Sequence, residues 1–261
     1  MKTSKKLLTS EFNYDLPKEL IAQKPIKPRD SARLLILNEK ISHQHFFDLP
    51  DILQKGDVLI LNDSKVIPAR LWGKKDTGGK IEVFLVKKIG KSWEVMIGGK
   101  AKGKIFFKDN IEGKIIKKLT DKTWLMNFNA SDKKLFFLGE TPLPHYIKND
   151  SKLEDYQTVY AKKQGSVASP TAGLHFTPRL LWKLKQKGVK IVFVTLHVGL
   201  GTFIPVKTKY ITEHKMHSEL ALLDSKTAKT LNEAKKKGKR IMAAGTTTLR
   251  VLESFADKKN H

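Results

Sequence analysis

Hydrophobic and polar positions change rhythm twice along this chain. In the first stretch, Arg33-Leu-Leu-Ile-Leu37 is a short apolar run that ends in Asn38-Glu39. Asp57-Val-Leu-Ile-Leu61 is a second, and it enters the polar turn Asn62-Asp63-Ser64-Lys65. Apolar runs of this length bounded by turn residues read as buried strands. Pro17, with Asp15 as N-cap, opens an apolar-periodic stretch over 18–23 that reads as a short helix. From about Pro68 the rhythm shortens. Runs rich in β-formers at 80–87, 91–97, 103–107, 113–119 and 123–128 alternate with glycine turns. This spacing predicts a small barrel or sandwich with no helix of any length inside it.

After Tyr146 helical and strand patterns alternate again. Residues 151–161 read as a helix. Thr177-Pro178 is an N-cap and first-turn pair, followed by Leu180, Leu181 and Leu184 on one face and a stop at Gly188. Residues 190–196 read as a strand. Ser225 caps a helix carrying Ala228, Leu231 and Ala234 that stops at Gly238, and 239–244 is a strand running into Gly245-Thr-Thr-Thr-Leu-Arg250, a helix start. The predicted fold is therefore an α/β main domain with an inserted all-β, barrel-like domain: 1–67 and 151–261 form the α/β part, and 68–150 the insert. Three predicted strands end in polar or glycine-rich turns, at 62–65, 197–202 and 245–248. Ligands of open α/β sheets lie outside the carboxyl ends of strands, so these turns could share one pocket.

Composition narrows the class. The chain has 261 residues, and its 40% hydrophobic content is enough for a core, which excludes a wholly disordered protein. Cysteine is absent, which excludes disulfides, thiolate nucleophiles and Cys-ligated metals. The apolar run around 191–196 is far shorter than the roughly 20 residues of a membrane span. No apolar run follows the N-terminal lysines, so no secretory signal is read, and the expectation is a soluble cytoplasmic protein. Lys and Arg total 50 against 26 Asp and Glu, a net charge of +24. Such a charge favours a polyanionic partner, although lysines also simply solvate surfaces. Only six of the basic residues are arginine: Arg29, Arg33, Arg70, Arg179, Arg240 and Arg250. Where lysine otherwise prevails, an arginine marks a place where a planar, bidentate fork is used.

Several segments carry candidate chemistry. In Ser169-Pro-Thr-Ala-Gly-Leu-His-Phe-Thr177, small residues such as Thr171 and Gly173 permit close backbone approach. His175 suits proton transfer and Phe176 could stack on a flat base; the bland alternative is a helix-entry turn with a structural histidine. In His197-Val-Gly-Leu-Gly-Thr-Phe203, Gly199, Gly201 and Thr202 could turn N–H groups toward an anion or a ribose, or form a plain turn. His214-Lys-Met-His217-Ser-Glu219 offers two histidines that would share a face on a helix, together with a carboxylate. No His-Glu-x-x-His pattern is present, so a base or hydrogen-bonding role outweighs a metal, and no metal is expected. Thr246, Thr247 and Arg250 place hydroxyls, N–H groups and a guanidinium at a helix start suited to a carboxylate or phosphate. In Asn62-Asp-Ser-Lys-Val-Ile-Pro-Ala-Arg70, Asp63 and Lys65 form a buried pair or contact a substrate, or the segment is ordinary turn chemistry. His43 and His45 read as surface residues.

Taken together and in order, these segments resemble one family, the S-adenosylmethionine:tRNA ribosyltransferase-isomerases of queuosine biosynthesis. The matching stretches are Phe12-Asn-Tyr-Asp-Leu-Pro17, Ala22-Gln-Lys-Pro25, Arg29-Asp-Ser-Ala-Arg33, Leu61-Asn-Asp-Ser-Lys-Val-Ile-Pro-Ala-Arg-Leu71, Pro142-Leu-Pro-His-Tyr-Ile147, Tyr156-Gln-Thr-Val-Tyr-Ala161, Pro170-Thr-Ala-Gly-Leu-His-Phe-Thr177, Thr195-Leu-His-Val-Gly-Leu-Gly-Thr-Phe203, Glu213-His-Lys-Met-His-Ser-Glu219 and Gly245-Thr-Thr-Thr-Leu-Arg250. The resemblance implies an α/β domain interrupted by a β-barrel. It implies S-adenosylmethionine as co-substrate, with no permanently bound cofactor, and as partner a tRNA carrying 7-aminomethyl-7-deazaguanine at the wobble position. The expected reaction transfers and isomerises the ribosyl moiety, gives epoxyqueuosine-tRNA, and releases adenine and methionine. No membrane partner is implied, and a monomer is expected. Members of this family continue past the Gly-Thr-Thr segment, so a chain that stops at His261 is expected to lack closing elements of the sheet. A non-catalytic tRNA-binding remnant is the alternative.

That chemistry needs a base, a proton donor for adenine and an anchor for the methionine carboxylate. His175 or His197 is the candidate for proton transfer, with His217, Glu219 and His214 sharing in base catalysis or holding the pocket. Arg250, Thr246 and Thr247 are the candidate anchor. Phe176 would stack on adenine or the deazaguanine, and Gly199, Gly201 and Thr202 would line the ribose. Asp63, Lys65, Arg70, Thr171 and Gly173 complete the expected binding set. Lys100, Lys102 and Lys104 are candidate phosphate contacts.

Overall fold

The computed structural model describes residues 7–256 other than 101, 145, 149–151 and the side chains of 200 and 203. The motif residue His145, the start of the helix expected at 151 and the polar tail 257–261 lie outside the described residues.

After three short 3₁₀ turns the first strands form a hairpin, β1 (Arg33–Leu37) and β2 (Ile41–His45), antiparallel and isolated from the other sheets. β1 is not the buried strand that its apolar run predicts. Leu35 and Leu37 point to solvent because no second layer covers that face, and His43 and His45 beside them are exposed. No helix forms over 18–23. Lys18–Leu20 is a single 3₁₀ turn preceded by Pro17 rather than capped by Asp15, and its Leu20 finds no core. After α1 (Leu49–Ile52) the chain enters β3 (Val58–Asn62), all of it buried, and then β4 (Ser64–Val66).

The barrel follows, from β5 (Arg70–Lys75), β6 (Lys80–Ile89), β7 (Ser92–Ile97), β8 (Lys104–Phe106), β9 (Glu112–Lys118) and β10 (Thr123–Phe128). Its strands close in the order β10-β7-β6-β5-β8-β9, every pairing antiparallel. Alternate residues such as Leu71, Ile81, Val83, Leu85, Trp93, Val95, Ile105 and Met126 point inward and fill it. β5 escapes the sequence pattern because Gly73 and two lysines dilute its alternation. The insert also holds a helix that the pattern does not predict, α2 (Asp132–Leu138), capped by Ser131 and driving Leu135 into the barrel core. Glu140 pairs with Arg70, so the chain leaves the barrel beside the point where it enters.

Residues 151–161 do not form the expected helix. Over the described residues they make one 3₁₀ turn, Leu153–Tyr156, then an extended Gln157 and a turn closed by the Ala161 N–H on the Thr158 carbonyl. The cause is tertiary: the Gln157 side chain hydrogen-bonds both the N–H and the carbonyl of Val66, at 2.9 and 3.1 Å. β11 (Lys163–Ser166) then pairs in parallel with β4. α3 (Pro178–Gln186), capped by Thr177 at 3.1 Å, buries Leu180 and Leu184. It precedes β12 (Lys190–His197), β13 (Leu220–Leu222), α4 (Ser225–Lys236), β14 (Ile241–Ala243) and α5 (Thr246–Phe255). The cap of α4 is Asp224 rather than Ser225; its Oδ1 accepts from the Thr227 N–H at 2.7 Å.

The main sheet has the order β13-β12-β3-β14, with β12, β3 and β14 parallel and β13 antiparallel at the edge. Along β3 successive residues serve opposite faces. Val58 and Ile60 pack with residues of α4 and α5, and Leu59 and Leu61 with α3. A central parallel strand buried on both faces therefore reads as an unbroken apolar run. The fold is α/β with an inserted all-β barrel. No helix among the described residues is long and apolar enough to cross a membrane.

Candidate active site

Because β3, β12 and β14 are parallel, their carboxyl ends lie on one edge of the sheet. Asn62, fully buried at the end of β3, ties the turns there together. Its Nδ2 donates to the Leu196 carbonyl at 3.0 Å and to Thr247 Oγ1 at 3.3 Å. Its Oδ1 accepts from the N–H groups of Leu196 at 3.0 Å and Ser64 at 3.1 Å. Read locally, Asn62 is only a turn residue. The cue that separates it from one is its position at the end of a central strand, where burial demands that every polar atom be paired.

The neighbours of Asn62 are held as firmly. Asp63 is buried and accepts from Thr195 Oγ1 at 2.6 Å, so its carboxylate faces β12 and does not form the expected pair with Lys65, which sits half-buried on β4. His197 Nδ1 lies 2.7 Å from Ser64 Oγ. Its ring abuts Gly165, where a Cβ would come within 3.0 Å. Burial pulls the His197 pKa below the usual imidazole value, against the opposing pull of Asp63.

Two adjoining cavities open beside this edge and share Pro144, Tyr146, Tyr156 and Thr171. The first, about 210 Å³, contains Arg29 and His175 among apolar residues such as Ile26 and Leu143. His175 is half-buried there. Burial lowers its pKa, a hydrogen bond to the Arg29 carbonyl opposes that shift, and the Arg29 charge adds to it. The net effect is a pKa below the usual imidazole value. Arg29 is in turn fixed by the carbonyls of Gln157, at 2.6 Å, and Glu154. The second cavity, about 350 Å³, is lined by Ser169, Thr171, Thr202, Gly245, Thr246 and Thr247 among others. Arg29, Tyr146, Tyr156 and Ser169 also line the cavities; each lies inside a stretch singled out along the sequence, but none carries an expected role there. Arg29 had a further signal, its place among six arginines.

Several expected contacts are replaced by others. Phe176 cannot stack on a base: it is 2% exposed and packs against Phe46, 4.9 Å away edge-on, and Tyr160. Gly173 admits Tyr160 rather than a ligand, since a Cβ there would sit 2.1 Å from the tyrosine oxygen. The Gly199 N–H is already used, donating to Glu219 Oε1 at 2.8 Å. Gly201 makes room for the His217 side chain, not for a ribose. Arg250 is engaged by the Glu219 carboxylate and by the His217 carbonyl at 2.6 Å, so its guanidinium is unavailable as a carboxylate anchor. His214 and His217 share no helix face, because 214–219 is irregular, and neither they nor Glu219 line the cavities. Arg70 is a barrel residue paired with Glu82 at 2.8 Å. Lys104 pairs with Glu112 at 2.8 Å, while Lys100 and Lys102 are exposed. Among the described residues no group of three or more His, Asp or Glu is arranged to hold a metal ion.

Residues 9–261 match the family model described as queuosine biosynthesis protein. The chain belongs to this family. Its relatives include the S-adenosylmethionine:tRNA ribosyltransferase-isomerase of Thermosipho melanesiensis, 50% identical over 254 residues, covering 94% of this chain and 76% of that protein. The protein of the same name from Thermotoga petrophila is 48% identical, covering 95% and 76%. A crystal structure of the S-adenosylmethionine tRNA ribosyltransferase from Thermotoga maritima is 33% identical and covers 94% of this chain and 72% of that one, with a TM-score of 0.45.

Proposed function

We propose that this chain transfers and isomerises the ribosyl moiety of S-adenosylmethionine onto 7-aminomethyl-7-deazaguanine at the tRNA wobble position, giving epoxyqueuosine-tRNA and releasing adenine and methionine. The observation that carries this reading is the match over residues 9–261 to a family whose half-identical members bear that enzyme's name. The cleft supports it. Two adjoining cavities of different character suit two substrates that meet at a shared wall of Pro144, Tyr146, Tyr156 and Thr171. S-adenosylmethionine is a co-substrate here, and no resident cofactor is needed.

The sulfonium acidifies the adjacent ribose C–H. A base removes that proton, the bond from C4′ to the ring oxygen breaks to leave a vinyl sulfonium, and the freed oxygen collapses to an aldehyde at C1′ as adenine departs with the proton from the base. The amine of the deazaguanine adds to C4′ and loses a proton, the sulfonium-stabilised carbanion so formed at C5′ bonds to C1′ and closes the carbocycle, and the resulting alkoxide attacks C5′, which forms the epoxide and expels methionine. His175 is the base: it lines the first cavity, and burial lowers its pKa, which favours the form with a free ring-nitrogen lone pair. His197, enclosed by Ser64 and Gly165, acts as a positioning residue for the 199–202 turn. The tRNA lies across the α/β part and the barrel, which folds as a distinct domain, with Lys100, Lys102 and Lys104 against phosphates.

Adenine release tests this directly. The protein is mixed with S-adenosylmethionine and tRNA carrying the aminomethyl-deazaguanine, and free adenine is followed with time. Release that requires this tRNA is the expected result. No release from folded protein that still binds the tRNA would overturn the enzyme reading and leave a tRNA-binding role.

A further inference from the structure

We infer that the N-terminus of α5, together with Ser169, forms an oxyanion site in the second cavity that holds the carboxylate of the methionine end of S-adenosylmethionine. This deepens, and rests on, the ribosyl-donor reading above.

Two independent observations meet at this point. The first is an uncapped helix start. The N-cap of α5 is Gly245, which has no side chain to offer and sits at φ +86°, a conformation that favours glycine. The first helical bond in α5 runs from the Leu249 N–H to the Gly245 carbonyl, 3.2 Å. The N–H groups of Thr246, Thr247 and Thr248 therefore have no acceptor among the described residues, at the positive end of a helix dipole. The second observation is Ser169. It is 6% exposed, lines the same cavity, and its Oγ has no hydrogen-bond partner among the described residues. A buried hydroxyl left unpaired is costly, and a ligand that accepts from it removes the cost.

The surroundings select an anion. Serine, threonine and tyrosine supply the polar groups of the cavity wall, and among the described residues no Asp or Glu lines it. Thr247 Oγ1 accepts from Asn62 Nδ2, so its own proton is left for a ligand. Arg250, one turn further along, is neutralised by Glu219, which leaves the helix amides as the electrostatic anchor. A Cβ on Gly245 would meet that of Ala172 at 3.1 Å, so the segment that follows Ser169 is held close against the helix start. A carboxylate and a phosphate share the chemistry that such a site recognises, and the test separates them.

Calorimetric affinities are measured for S-adenosylmethionine, for its decarboxylated analogue and for tRNA, on the wild type, Thr246→Asp and Ser169→Ala. The wild type is expected to prefer S-adenosylmethionine over the analogue by about ten-fold or more. Thr246→Asp places a carboxylate of its own at the helix start. It should abolish the preference while holding or raising Tm, a combination that a damaged fold would not give. Ser169→Ala should reduce the preference by about three-fold. Loss of tRNA affinity in Thr246→Asp with the preference intact would overturn the carboxylate and assign the site to an RNA phosphate. Equal binding of the two ligands by the wild type, unchanged in both variants, would overturn the site and leave the proposed reaction standing. If the adenine assay fails instead, inorganic phosphate probes the site by itself. Shifts of the Thr246, Thr247 and Thr248 amide resonances on its addition would support an oxyanion site, and their absence would overturn it.

Discussion

The barrel and the α/β part bury different kinds of side chain. Inside β5 to β10 the buried residues are apolar apart from Thr123, whereas the α/β part buries Asp30, Asp57, Asn62, Asp63, Ser64, Thr158, Ser166, Ser169, Thr195, Thr227 and Thr248. A closed barrel satisfies its backbone within its own ladders, so its interior needs only volume. An open sheet ends in turns whose N–H and carbonyl groups are buried without a ladder, and side chains must complete them. Asn62 does this for two turns and reaches into a third. Stability can therefore be drawn from one region while the groups aimed at a ligand collect in the other.

The comparison can be broken in four places. His175→Ala should cut adenine release by about 10² to 10⁴-fold with little change in Tm, as for loss of a general base. The wild-type rate should be level above the ordinary imidazole value and fall only below it. Burial depresses the His175 pKa, so the neutral, active form persists to lower pH. A rate that already falls on going from pH 8 to 7 would point to a different base. Leu85→Ala, in the barrel, should cost about 2–5 kcal/mol of stability by denaturant titration. The affinity of the folded molecules for S-adenosylmethionine should stay the same, and a parallel loss would show that the two regions are coupled. Asn62→Ala should cost about 1–3 kcal/mol, because it strands buried N–H groups, and should slow adenine release as well. Wild-type turnover in that variant would reduce Asn62 to a structural role. The smallest effect belongs to Lys104→Ala on the barrel surface. It should weaken tRNA binding a few-fold and lower the slope of log affinity against log salt by about one, and an unchanged slope would remove Lys104 from the RNA interface.

What sequence could and could not reveal follows from the range of the forces involved. Alternation and turn chemistry are local, so most barrel strands, the Thr177 cap and the continuous burial of β3 were legible along the chain. The helix expected over 151–161 was lost to Gln157, whose partner Val66 lies 91 positions away. The apolar run of β1 found no layer to cover it.

By itself the sequence determined the family, the alternation that builds a barrel inside an α/β frame, and the segments from which the site is drawn. The tertiary structure decided which members of those segments face the cleft. Phe176 went to the core because a flat apolar ring gains more against Phe46 and Tyr160 than in water. Arg250 went to Glu219, and the Gly199 N–H to the same carboxylate. The amides of α5 and the hydroxyl of Ser169 were left without partners. Burial and pairing are settled between residues far apart in the chain, so they emerge only when the chain has closed on itself.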